Sequence, residues 1–146
     1  LQGDWSSDVC SSDLVSFFDR EMQPTTTLMS GEDATVRVAM ESSIPVPNSL
    51  LTLRISTLHN DNVWMSNSKM NNSRVTLSPG EITVDVRLCS LPLLDGVYEL
   101  SLAIADESGS HEYDHWEKRT KFNVSQKRIT EWGFVSIDSE WRTVAP

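Results

Sequence analysis

The segment His111-Glu-Tyr-Asp-His115 combines residues that could do chemistry. It matches the H-E-x-x-H pattern of zinc proteases, in which two histidines on one face of a helix bind a single metal ion. Here the segment follows a turn at Ser108-Gly109-Ser110 and runs into an alternating strand pattern. In a strand, residues i and i+4 lie about 13 Å apart, too far for one zinc ion with bonds of about 2 Å. The sequence predicts a polar loop and the start of a strand there.

Other chemistry is weakly represented in the chain. Carboxylates at Asp106, Glu107, Glu112 and Asp114 offer oxygen ligands for calcium, but acidic loops often have this composition without binding a metal. There is no P-loop motif, and the spacing of serine, histidine and aspartate suggests no catalytic triad. We expect a non-enzymatic chain without a metal or cofactor. The alternative hypothesis of a hydrolase or metalloenzyme is supported by the H-E-x-x-H stretch alone.

One strand organises the elements that must position any site. In Leu91–Asp106, Pro92 and Gly96 bracket a short turn, and strict alternation follows. Tyr98, Leu100, Leu102 and Ile104 point one way, which is typical of a half-buried strand. The opposite face, with its small side chains, forms a flat strip on which a long, thin ligand could lie.

Further short strands are predicted on both sides of this one, and turn residues recur between them. No stretch shows a sustained helical period. The predicted strands are Val15–Arg20, Thr35–Glu41, Leu50–Leu58, Val63–Ser66, Val75–Leu77, Glu81–Cys89, the strand after Gly96, Tyr113–Val124 and Trp132–Ile137. Two prolines in Ile44–Asn48 argue against a central strand there. About seven to nine strands predict an all-β, two-sheet antiparallel sandwich.

The length of the chain indicates one domain, and its two cysteines are expected to be free thiols in a reducing compartment. The 146 residues have a formal net charge of −9, which argues against nucleic acid as a partner. Residues 1–14 resemble translated sequencing-adaptor sequence; the alternative is a disordered native N-terminus. We place the β-sandwich domain in residues 15–146. Cys10 and Cys89 suggest neither a disulfide framework nor a zinc site. The chain does not begin with methionine, so we expect a fragment.

Aromatic side chains suggest a carbohydrate ligand. A tryptophan ring can pack against the C–H face of a sugar, and Trp64 and Trp116 are the candidates; the alternative is that they belong to the core. Polar side chains on outward strand faces would bind sugar hydroxyls if their strands adjoin. The predicted ligand-binding residues are Arg54, Ser56, Trp64, Glu99, Ser101 and Trp116.

Five segments, in this order and spacing, carry a resemblance to a known family. They are VWMSN (Val63–Asn67), LSPGEITVDV (Leu77–Val86), LPLLDGVYELSLAIAD (Leu91–Asp106), YDHWEKRTKFNV (Tyr113–Val124) and GFVSIDSEW (Gly133–Trp141). From about Val15 to Trp141 the chain resembles the C-terminal domain of Wzt-type ATPase subunits, which belong to ABC transporters that export O-antigen polysaccharide.

The resemblance implies an immunoglobulin-like β-sandwich that binds the exported glycan and follows an ATPase domain absent from this chain. It also implies a cytoplasmic position at the inner face of the plasma membrane, a transmembrane permease as partner, and a homodimer in which the last strand could be exchanged. A sandwich used only for protein–protein contact or dimerisation is the alternative.

Overall fold

The computed structural model describes the backbone of residues 10–145 and the side chains of residues 14–113 and 120–145. The described backbone contains no helix, and its strands build two facing sheets. The strands are β1 (Cys10–Phe18), β2 (Thr27–Met29), β3 (Ala34–Ser42), β4 (Val46–Thr57), β5 (Asn62–Asn67), β6 (Val75–Leu77), β7 (Gly80–Leu88), β8 (Gly96–Ala105) and β9 (Glu112–Ser125). The predicted all-β sandwich is confirmed.

The smaller sheet has the order β1-β3-β7, and the larger sheet has the order β2-β9-β8-β4-β5, with β6 paired to β4. All neighbours run antiparallel except β2, which pairs parallel to β9. β2 is not among the strands predicted from the sequence, because three residues are too few to show a period. β5 and β7 are edge strands, so one side of the sandwich opens between them.

The core lies between the sheets, and alternation along each strand fills it. Tyr98, Leu100, Leu102 and Ile104 of β8 are each at most 3% exposed. Across the gap, the ring of Phe17 lies 4.9 Å from that of Phe122, which stacks at 5.7 Å on Tyr98. These rings join the two sheets, because β1 belongs to the smaller sheet and β8 and β9 to the larger.

The predictions for Ile44–Asn48 and for Trp132–Ile137 are wrong, each for a local reason. Val46 and Pro47 belong to β4, where the pairing with β6 is irregular between Val46 and Ser49; a proline is tolerated at such a bulge. The predicted strand Trp132–Ile137 is reduced to a single bridge between Val135 and Leu93. Because residues 91–94 are themselves irregular, there is no strand for it to extend along.

Residues 1–9 lie outside the described residues. β1 starts at Cys10 and pairs with β3 from Cys10↔Ser42 to Phe18↔Thr35, so it begins before the predicted Val15.

No described helix is long and apolar enough to cross a membrane. Cys89 is a free, exposed thiol just after β7.

The hydroxyl of Tyr98 offers a test of how the core is anchored. It is buried and donates a hydrogen bond of 2.7 Å to the carbonyl of Leu94, and burial together with the charge of Asp95 raises its pKa. Tyr98→Phe should lower the free energy of unfolding by about 1–2 kcal/mol, because the Leu94 carbonyl loses a buried donor. Urea denaturation of both proteins measures this, and equal midpoints for wild type and Tyr98→Phe would contradict it.

Candidate functional site

Four of the predicted binding residues come together on the outward face of the larger sheet. In the antiparallel pairing of β4 with β8, Arg54 lies opposite Ser101 and Ser56 lies opposite Glu99. Each alternates with core residues, so all four project away from the core. The condition set for these residues, that their strands adjoin, is met, and their role in binding stays a prediction. We call Arg54, Ser56, Glu99 and Ser101 the outer strip.

The outer strip is more shielded than an outward face usually is. Ser56 is 0% exposed, Ser101 6% and Glu99 8%, although none of them faces the core. Neighbouring side chains therefore cover much of this region, and Ala103 continues it along β8 as a half-buried small residue. A ligand would meet a narrow polar surface on the two central strands of the sheet.

The turn that joins β4 to β5 fixes the side chain of Arg54. Its Nε donates to Oδ1 of Asn62 at 3.1 Å, Nη1 to Oδ1 of Asn60 at 3.1 Å, and Nη2 to the carbonyl of Asn60 at 3.0 Å. Asn60 adopts φ 70, a backbone conformation that asparagine tolerates in turns. Of the five N–H donors of a guanidinium, two remain for a ligand.

Two polar groups of the outer strip have no partner among the described side chains. The Oγ of Ser56 is the one fully enclosed side-chain N or O atom without a hydrogen bond in the part of the chain that is described. Glu99, directly opposite, makes no hydrogen bond or ion pair with a described side chain. Because buried polar groups are nearly always satisfied, this pair requires an explanation.

Trp64 does not join the outer strip. It lies opposite Ile55 in the β4–β5 pairing, and Ile55 is 3% exposed on the core side. Residues opposite each other share a face, so Trp64 lies on the inner face of the larger sheet, packed partly against the core. Alternation within β5 did not reveal this, because Val63 and Trp64 are both apolar and leave the inward face ambiguous.

Trp64 lines a cleft of about 320 Å³ where the sandwich opens between β5 and β7. Leu51 and Leu53 lie at its inner end, and Val84 and Val86 of β7 form the opposite wall. The loop after β5 forms part of the rim and is held by its own bonds, among them Asn71 Nδ2 to Ser66 Oγ at 2.8 Å. Sequence reasoning missed this cleft, since only the order of strands brings β5 and β7 to the same side.

Trp116 lies opposite Leu102 in the pairing of β8 with β9. Its side chain is outside the described residues, so its role in binding stays a prediction. The same holds for the side chains of Asp114 and His115. β9 begins at Glu112, so the H-E-x-x-H stretch runs into a strand, as predicted, and not into a helix.

The acidic turn before β9 is organised by its own hydrogen bonds. Asp106 accepts from the amide of His111 at 3.2 Å and from the hydroxyls of Ser108 and Ser110 at 3.0 and 3.3 Å. The His111 amide, followed by these hydroxyls, holds the pKa of the Asp106 carboxyl below its usual value. Among the described residues, no group of three or more histidine, cysteine or acidic side chains could hold a metal ion.

Fold and site together define a β-sandwich with a polar strip on its larger sheet. Among solved structures, the chain is similar to the crystal structure of the C-terminal domain of Wzt, with a TM-score of 0.81 and 15% identity over 92% of this chain and 84% of that one. It is less similar to a Niemann-Pick type C2 protein from Japanese carpenter ant, with a TM-score of 0.53 and 14% identity over 83% of this chain and 95% of that one. A search of the curated proteins found no match.

The model of the Wzt C-terminal domain family matches residues 13–137. The chain belongs to this family.

The position of Trp64 makes a prediction about stability. Trp64→Ala should lower the free energy of unfolding by roughly 2 kcal/mol, about half of the loss typical of a fully buried tryptophan, because the ring is only partly buried. Met65→Ala is the matched control: Met65 is the next residue of β5 and is 53% exposed. Chemical denaturation of the two variants checks this, and equal losses would show that Trp64 does not pack on the core.

Proposed function

We propose that this domain is the polysaccharide-recognition module of an O-antigen-type ABC exporter and catalyses no reaction itself. The observation that supports this most directly is the outer strip, in which a guanidinium, a carboxylate and two hydroxyls lie on adjoining central strands. Sugars present dense arrays of hydroxyls, which are donors and acceptors at once. Fixed polar groups on a rigid sheet suit such a ligand.

The charge of the chain also favours a neutral or weakly charged ligand over nucleic acid. At −9 the protein repels a phosphate backbone, and the single arginine of the outer strip is engaged by Asn60 and Asn62. The outer strip therefore offers directional hydrogen bonds in place of a positive field.

Family membership suggests the setting. We propose that the domain follows an ATPase domain in the complete subunit, and that the subunit acts with a transmembrane permease at the cytoplasmic face of the inner membrane, in lipopolysaccharide biosynthesis. The domain would then hold the glycan near the translocation path while the ATPase domains hydrolyse ATP.

A second candidate function, dimerisation, rests on the C-terminal segment. After β9 the chain continues without a regular strand, and several large apolar side chains project into solvent. Among them are Trp132, 93% exposed, Ile137, 69%, Trp141, 94%, and Val144, 78%. Exposed apolar surface of this kind marks interaction sites. We propose that this segment packs on a second copy in a homodimer, which is compatible with glycan binding.

Blocking the outer strip tests the glycan proposal. Wild-type protein should bind saturably to at least one member of a panel of neutral and acidic O-polysaccharides in calorimetric titration. Ala103→Tyr should weaken that binding ~tenfold or more, a loss of about 1.4 kcal/mol, because the ring would cover the strip. Thr83→Tyr, an exposed position on the smaller sheet, should bind as wild type does. Unchanged binding by Ala103→Tyr would place the glycan away from the outer strip. If wild type binds no polysaccharide of the panel, the proposal is refuted.

The mass in solution tests the dimer. The intact chain should sediment with twice the chain mass, and the double variant Trp132→Asp/Trp141→Asp should sediment as a monomer, since two charges would be placed in the apolar contact. Met70→Asp alters a residue that is 74% exposed in the loop after β5 and should leave the dimer intact. A wild-type monomer at micromolar concentration would contradict this proposal.

A further inference from the structure

Glu99 is buried to a degree that is unusual for a charged residue outside the core. Only 8% of it is exposed, and it has no hydrogen bond or ion pair with a described side chain. Burying a carboxylate without compensation destabilises a protein, so such residues are rare unless they are paired. Among the described residues, neither of its oxygens is both fully enclosed and without a hydrogen bond. The exposed part of the residue is within reach of a ligand.

Two described cations on the strands beside Glu99 form no ion pair with it. Arg54 lies diagonally across the β4–β8 pair, but Asn60 and Asn62 hold its guanidinium toward β5. Lys121 lies opposite Glu99 on β9, is exposed, and forms no ion pair with it. Neither Arg54 nor Lys121 therefore pairs with the carboxylate of Glu99.

Ser56 adds a second unsatisfied group at the same place. It lies directly opposite Glu99, and side chains paired in this way have Cβ atoms about 4.5–5.5 Å apart. Its Oγ is enclosed and has no partner among the described residues. A carboxylate and a hydroxyl thus lie side by side, and neither has a partner among the described side chains.

We propose that Glu99, supported by Ser56, selects a neutral sugar residue that carries two adjacent free hydroxyls. This inference rests on the proposed function and names the substrate class for the same surface. The two carboxylate oxygens accept one hydrogen bond from each hydroxyl of the diol, so the sugar satisfies a carboxylate that no described side chain pairs. The charge of Glu99 disfavours glycans that carry uronate or phosphate groups.

Removing the charge of Glu99 should change stability and glycan affinity in opposite directions. If Glu99 is kept for a ligand, replacing it with a neutral side chain of the same shape removes an uncompensated charge. The unliganded protein then becomes more stable while the affinity for the sugar falls. A structural role predicts the reverse for stability.

The experiment uses Glu99→Gln, with Glu81→Gln, an exposed carboxyl on β7, as the matched control. Wild type and both variants are titrated with the neutral O-polysaccharide that binds most tightly in the panel, in its native form and after periodate cleavage of its vicinal diols followed by reduction. Melting temperatures are measured without ligand. We expect Glu99→Gln to bind the native glycan ~tenfold to 100-fold more weakly and to melt higher than wild type, and we expect wild type to lose affinity for the cleaved glycan.

Several outcomes would overturn this inference. Equal affinity of wild type and Glu99→Gln, a lower melting temperature of that variant, or tightest binding to an acidic glycan each refutes the role of Glu99 while glycan binding stands. Unchanged affinity for the cleaved glycan refutes the diol. If wild type binds no polysaccharide of the panel, the proposed function itself fails.

Discussion

The structure depends on the pairing of β8 with neighbours on both of its sides. Because β4 and β9 flank it, the backbone of β8 is satisfied in the middle of the larger sheet, and every second side chain must enter the core. Tyr98 and its inward companions meet Phe122, which reaches Phe17 of the other sheet. This contact holds two sheets of unequal size together, and the larger sheet then presents its own outward face to solvent.

The outer strip is a consequence of that arrangement. A residue on the back of a central strand has a fixed backbone and fixed neighbours, so its side chain is positioned with little freedom left to lose on binding. Glu99 and Ser56 occupy such positions and have no partner among the described side chains, while the turn at Asn60 engages Arg54. The sheet makes these positions rigid, and the turn between β4 and β5 binds the guanidinium of Arg54.

Unequal sheet size explains the remaining features of the surface. With three strands facing six, the sandwich does not close between the edge strands β5 and β7, and a cleft of about 320 Å³ remains with Trp64 on its wall. The described C-terminal segment does not line this cleft. A bridge at Val135 and a few hydrogen bonds connect it to residues 91–94. Its tryptophans, Trp132 and Trp141, therefore remain exposed to solvent.

Alternation along the sequence was enough to predict the all-β fold, most strand positions and the outward direction of Arg54, Ser56, Glu99 and Ser101, because a period of two is a local property of the backbone. Pairing is not local. Only the tertiary structure placed Ser56 opposite Glu99, turned Trp64 inward through its register with Ile55, and reduced the segment from Trp132 to Ile137 to one bridge. Each of these depends on which strand lies alongside, and that choice is made by the packing of the whole core.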